Sequence, residues 1–427
     1  MRRDFLKLCG MAGLGVAAPA WLPGRVAGAA SSGTAYEGPY YAVFNASGGW
    51  DTTYLMDPKG IDGINRLFQQ GDILSRGSHR FAPTAKHIAG GLSNEDFYKE
   101  YGSELLVFNG LDYAVNNHSP GARYMATGKL DSLAYPTFAA LVAACRGPEC
   151  PISYLTFGNY SATGNLVAMS RVPYLPSLQR IANADNVEGN PRSFYHDEFA
   201  LRRIEETLAA EDRALAMDPR LPRAERAQSM LYAAQVNSKA LQRVTEHIPK
   251  ETPKERLSQQ VEIALASFKA GVCVSANLTI GQFDSHANND TDQMKLIPEF
   301  LAGIHYLLRR AEELGIRDKL VIVAQSEMGR TPTYNKGNGK DHWSIGSVLF
   351  LGPGIRGNRV IGATDDKQFA VPIDPGSLAL KAEGGVKIKP EHVHAALRDL
   401  AGIAGHPFAK QFPLVFPEAE KLIGFWG

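Results

Sequence analysis

Residues 321–343 read VIVAQSEMGRTPTYNKGNGKDHW. The first five form a buried-strand pattern, apolar up to Gln325. Ser326, Glu327 and Arg330 follow, a glycine-rich excursion intervenes, and Asp341 and His342 return just ahead of Trp343. A solvated turn between two strands would have the same composition. What the acid, the guanidinium and the imidazole are for is decided by the rest of the chain.

Upstream, residues 297–316 (IPEFLAGIHYLLRRAEELGI) have the spacing of an amphipathic helix with a glycine stop. Downstream, SVLFLGPGI (347–355) predicts a further strand and EHVHAALRDLAGI (391–403) a late helix, with His392 and His394 expected at its surface. Toward the N-terminus, YYAVFNASGGWD (40–51) predicts a strand ending in a Gly-Gly turn, and SELLVFNGL (103–111), ISYLTFGN (152–159) and VCVSANLTI (272–280) predict others. FAALVAACRG (138–147) predicts a helix, and residues 195–270 a helical segment inserted in the domain. Strands alternating with helices predict an α/β fold built on a mostly parallel sheet covered on both faces.

In such a sheet ligands gather at the carboxyl ends of the strands, so polar clusters should follow strands. Asp51 follows the first strand, and Asn116, Asn117, His118 and Ser119 follow LLVFNGL. Asp284 and His286 follow VCVSANLTI, Glu327 follows LVIVA, and Asp341 with His342 precedes SVLFL. Five segments thus bring carboxylates and imidazoles to one edge. These are ligands for a divalent ion, and acids packed together without a cation raise one another's pKa. The pattern predicts a metal site, with zinc, manganese, calcium or magnesium as the candidate ion. Singly, Asp51 could be a turn former, Asp284 a helix cap and His118 a satisfied core histidine.

The N-terminus, MRRDFLKLCGMAGLGVAAPAWLPGRVAGAA, joins Arg2 and Arg3 to a short weakly apolar run and an AGA site ending at Ala29. That is the layout of an export signal of the twin-arginine type over residues 1–29, too short and glycine-rich to span a bilayer; a retained anchor is the alternative. It predicts a periplasmic protein handed to the twin-arginine translocase, with residues 30–427 forming one domain and no stable membrane span left after processing. Removing Arg2, Arg3, Lys7, Arg25 and Asp4 from the 45 basic and 44 acidic residues leaves 41 and 43, a net of −2. Nucleic acid is therefore not an expected partner. Of four cysteines, Cys145 and Cys150 in CRGPEC could close a small disulfide, and the spacing fits no structural zinc finger.

Together the signal, GGWD (48–51), HSPGARYMATG (118–128), FDSHAN (283–288), SEMGRTP (326–332) and GKDHWS followed by GPGIRGNRVIGATD (352–365) resemble a bacterial family of exported proteins known as domain of unknown function 1501. The resemblance covers nearly all of the chain beyond the signal. That family resembles in turn the alkaline phosphatase and sulfatase superfamily. The resemblance implies a three-layer α/β/α sandwich and hydrolysis of phosphate or sulfate esters, small or on a glycan, at a bimetal site. It implies Asp51, Asp284, His286, Glu327 and His342 as metal ligands and Ser119, at a helix start favourable for anions, as nucleophile. It leaves His118 as an assisting group or replacement ligand, and sets Arg330 against the ester oxyanion, an ion pair with Glu327 being the alternative. Two departures stand out. Asp284 and His286 are two residues apart rather than four, and Ser326-Glu327 stands where an Asp-His pair is usual. SPGAR carries Pro120 one place too early for the sulfatase formylglycine signature. A non-catalytic envelope protein that binds a metal or ligand is the second reading, and isomerase or phosphomutase chemistry a third.

Overall fold

The computed structural model describes residues 35–84, 90–148, 150–172, 175, 178, 185–187, 190–216 and 242–427. The expected export signal at 1–29 lies outside them. The core is an eight-stranded sheet. In chain order its strands are β1 (Tyr40–Ala46), β2 (Leu106–Asp112), β3 (Tyr154–Thr156), β4 (Met169–Ser170), β5 (Ser275–Ile280), β6 (Leu320–Gln325), β9 (Ile345–Leu351) and β10 (Arg359–Ile361). Between β6 and β9 lies a two-stranded ribbon of β7 (Gly329–Arg330) and β8 (His342–Trp343). Across the sheet the order is β10-β2-β9-β6-β1-β5-β3-β4.

β1 runs parallel to both β6 and β5, in register from Tyr40 opposite Leu320 to Asn45 opposite Gln325. β9 alone is reversed, antiparallel to β6 on one side and β2 on the other. The mostly parallel sheet expected from the pattern is therefore correct, with one strand inverted.

Near-continuous apolar runs suit strands covered on both faces. In β1, Tyr40, Ala42, Phe44 and Ala46 point into one hydrophobic layer and Tyr41 and Val43 into the other; Leu320, Ile322 and Ala324 of β6 share the first layer, Val321 and Val323 the second. The first layer is closed by helices α1 (Asn94–Tyr101), α5 (Arg256–Lys269) and α6 (Asn289–Glu313). The second is closed by α2 (His118–Thr127), α3 (Phe138–Arg146) and α7 (Pro390–Leu400). The result is the expected α/β/α sandwich.

Within the expected helical segment 195–270, α4 (Glu198–Ala216) and α5 are helical, while residues 217–241 lie outside the described set. Two expectations are corrected. His392 and His394 are 2% exposed, because α7 is covered on more than one side: His392 Nε2 meets Glu420 Oε2 at 3.0 Å and His394 Nε2 meets Met125 O at 2.8 Å. Cys145 is a free thiol, so CRGPEC is not closed by a disulfide.

Candidate functional site

The carboxyl ends of β1, β2, β5 and β6 share one edge of the sheet, since these strands are mutually parallel. β9 is reversed, so the residues that precede it start at that same edge. This is why a loop leaving β6 at Glu327 returns with His342 beside it.

The turn after β1 depends on Gly48 (φ +121°), where an added Cβ would lie 2.4 Å from the Asp284 backbone nitrogen. That proximity seats the β5 segment. Ser326 fastens the turn from the other side, donating its hydroxyl to Ala46 O at 2.6 Å and accepting from Trp50 N at 3.1 Å. Helix α2 is brought close by a second glycine: a Cβ at Gly121 would lie 2.7 Å from Glu327 O. His118, the first residue of α2, thereby reaches the end of β6.

Four of the expected residues, His118, Asp284, His286 and His342, meet at the rim. One ligand atom from each of His118, Asp284 and His342 lies within 4.8 Å of the other two. Asp284 Oδ2 is 3.3 Å from His118 Nε2; Asp284 Oδ1 is 3.1 Å from His286 Nε2 and 3.4 Å from His342 Nε2. His286 Nε2 and His342 Nε2 are 2.9 Å apart.

The far nitrogen of each ring faces an oxygen. Nδ1 of His118 meets Glu327 Oε1 at 3.0 Å, Nδ1 of His286 meets Asp341 Oδ1 at 2.9 Å, and Nδ1 of His342 meets Asn116 O at 2.8 Å. Carbonyls and carboxylates only accept, so each Nδ1 carries the proton and each Nε2 presents a lone pair to the cluster. Two such lone pairs 2.9 Å apart repel unless a proton or a cation stands between them.

The arrangement fits a divalent ion. Bonds of about 2.0–2.1 Å at tetrahedral angles put ligand atoms about 3.3 Å apart. The Asp284–imidazole separations of 3.1–3.4 Å match that spacing. His118 Nε2 is out of line for a hydrogen bond with Asp284 and is left without a hydrogen-bond partner. A nitrogen-rich donor set of this kind suits zinc better than manganese, calcium or magnesium.

The electrostatics are consistent. Burial works to raise the Asp284 carboxyl, yet the hydrogen bond and charge of Arg330, with His118 and His286, hold it below its usual range. The Glu327 hydrogen bond raises His118 against the effect of burial, helped by the charges of Glu327 and Asp284.

The remaining expected site residues are placed differently. Glu327 is 3% exposed; its Oε1 accepts from Gly48 N at 2.7 Å as well as from His118, so this oxygen orients an imidazole rather than facing the cluster. Its Oε2 has no hydrogen-bond partner. Asp51 is fully buried and held by the Lys340 ammonium at 2.7 Å, apart from the His118, Asp284 and His342 group. Arg330, 2% exposed, donates to Gly49 O at 2.9 Å, Lys340 O at 3.0 Å, Gly48 O, and Asp284 Oδ1 at 2.7 Å. Its ion pair is with Asp284, not Glu327. Ser119 is exposed in the first turn of α2, and its backbone N–H is directed to the Asn117 side chain at 3.3 Å.

The sequence reading passed over Lys340, Asp341 as a partner of His286, the Asn116 carbonyl and Gly121. Only Lys340 and Asp341 carried a signal, as charged neighbours of His342.

A family model described as "Protein of unknown function (DUF1501)" matches residues 78–379. Among solved structures the chain is similar to the PsFucS1 sulfatase from Pseudoalteromonas sp., at 10% identity and a TM-score of 0.42, over 100% of this chain and 75% of that one. It is similar also to alkaline phosphatase from the Antarctic bacterium TAB5, at 10% identity and a TM-score of 0.36, over 86% of this chain and 99% of that one. Likenesses this distant carry no weight for function. A comparison with curated proteins gives no match.

Proposed function

The chain belongs to the family of proteins of unknown function DUF1501, and from that premise we propose that it is an exported, metal-dependent hydrolase of phosphate or sulfate esters. The observation that carries the reading is the convergence of the His118, His286 and His342 Nε2 atoms on Asp284. His118, Asp284 and His342 would hold the ion, with His286 on the open flank. Glu327 and Asp341 would fix the ligand rings. A bound divalent ion supplies Lewis acidity at the ester oxygen and makes an attacking hydroxyl more acidic.

Ser119 is the hydroxyl nominated for attack on phosphorus or sulfur, from the start of α2 next to His118. Arg330 acts through Asp284, because four of its five N–H donors are bonded inside the protein, one of them to that carboxylate. The substrate is an ester on a small molecule or a glycan. Export rests on the paired arginines at the N-terminus and would proceed through the twin-arginine translocase to the periplasm. Among the described residues no helix is long and apolar enough to cross a membrane.

The test is turnover by purified protein, supplied with zinc, manganese, calcium or magnesium, of aryl phosphate, phosphodiester and aryl sulfate panels. Hydrolysis with one metal, lost in Asp284→Asn and reduced in Ser119→Ala, supports the proposal. Absence of turnover with every metal removes it. One observation favours the second reading, a cation-binding envelope protein: four of the five N–H donors of the buried Arg330 are bonded within the protein, which leaves little of it for an anionic substrate. Stoichiometric metal without hydrolysis would be its signature.

A further inference from the structure

We infer that the centre holds a single divalent ion, and that the Lys340 ammonium supplies at Asp51 the positive charge a second ion would bring. This rests on the proposed reading that the rim binds metal. It parts from the two-ion expectation attached to the fold.

The argument is one of lone pairs and access. Asp51 Oδ1 accepts from the Thr53 backbone N–H at 3.1 Å and from the Thr53 hydroxyl at 2.6 Å. Asp51 Oδ2 accepts from Asn289 Nδ2 at 3.0 Å and from Lys340 Nζ at 2.7 Å. Four donors thus occupy both oxygens, and a carboxylate has about four such positions.

Both side chains of the Asp51–Lys340 pair have 0% exposure, so the pair is out of contact with solvent. The ammonium also lies 5.6 Å and 5.1 Å from the ring centroids of Tyr54 and Tyr334, within cation–π range. Both of those hydroxyls bond Asp290 Oδ1, at 2.7 and 2.6 Å, which fixes the rings in place. An ion entering at Asp51 would have to displace the ammonium from the carboxylate and leave it buried and unpaired, which is strongly unfavourable. The rim is the opposite case. Asp284 is half-exposed, and His118 Nε2 lacks a hydrogen-bond partner. The rim turns free donors toward a cation, whereas Asp51 already has the Lys340 ammonium.

The experiment counts ions. Metal-free protein is equilibrated with zinc or manganese, freed of excess, and measured for bound metal per chain and for Kd by chelator competition. One ion per chain is expected, with Asp284→Asn weakening Kd by about 100-fold or more, the upper end of what a disturbed metal sphere loses. Lys340→Met alone would bury an unpaired carboxylate, so it is combined with Asp51→Asn, which removes both charges at nearly constant volume. The folded double variant should keep one ion with Kd within about threefold of wild type, as expected for a site whose ligands are untouched. Two ions per wild-type chain overturn the inference, as does loss of the ion from a folded double variant. If the double variant does not fold, the wild-type count decides alone. No ion at all in wild type removes the metal reading itself, and this inference with it, a result distinct from finding two.

Discussion

Each imidazole at the rim is governed by the oxygen behind it. Glu327 holds His118 through Oε1, and a neutral amide in its place would weaken that hold without emptying the site. Glu327→Gln should therefore weaken zinc binding by about 10–100-fold while far-ultraviolet circular dichroism stays unchanged. An unaltered Kd would show that Glu327 has no part in placing the ring. Arg330 is different in kind. Its removal strands the carbonyls of Gly48, Gly49 and Lys340 and leaves Asp284 without its closest cation. Arg330→Met should cost about 3 kcal/mol or more in urea unfolding, in addition to weakening metal binding. At this scale the sequence told which residue types reach the rim but not which atoms face one another there. Glu327 and His342 both read as ligands, yet one turned out to face an imidazole. Asp51 read as a ligand because its partner, Lys340, is 289 positions away along the chain. A pairing at that distance leaves no mark on local pattern.

Helices and strands set the distances on which those contacts depend. Gly121 lets α2 rest against the Glu327 carbonyl, so Gly121→Ala should push the start of the helix outward. We expect metal affinity to fall by about tenfold, the lower end for a displaced ligand, and the melting temperature to drop by only a few degrees. Retained affinity would mean that α2 is not held by this approach. Across the sheet centre, Asn277 Oδ1 accepts from Asn45 Nδ2 at 2.6 Å and Asn45 Oδ1 from Gln325 Nε2 at 3.0 Å, three buried amides linking β5, β1 and β6. Asn45→Leu leaves Asn277 Oδ1 and Gln325 Nε2 without these partners and should cost about 2–4 kcal/mol by chemical denaturation. Strand positions were readable because apolar runs of this length have few alternatives. The reversal of β9 was not, since a buried strand reads the same in either direction. Helix α6 was expected from residue 297; it starts instead at Asn289, its opening turns being polar, with Asn289 and Gln293 bonded to Asp51.

For the molecule as a whole, two sandwiched apolar layers make buried ionisable groups the main source of pH sensitivity. Burial pushes His394 in α7 down from 6.5 to about 4, its Nε2 bonded to Met125 O. The unfolded chain takes up this proton below pH of about 6.5 and the folded chain only near pH 4, so stability is full above that window and falls within it. The loss should approach about 3 kcal/mol at the acid end, and His394→Gln should flatten the slope measured by urea midpoints across the window. An equal slope in the variant would assign the effect elsewhere. The α/β/α layering was legible from alternating strands and helices, and the edge where the site lies from polar residues after strands. The inverted strand has an outcome for how this architecture can diversify. Because β6 and β9 meet solvent on the same side, the intervening stretch is a handle attached at two neighbouring points and crosses neither hydrophobic layer. The exposed tip of that handle, Lys336 to Asn338, can be lengthened or exchanged while Glu327, Arg330, Lys340, Asp341 and His342 stay in place, which makes it the natural place to graft new selectivity onto an unchanged frame.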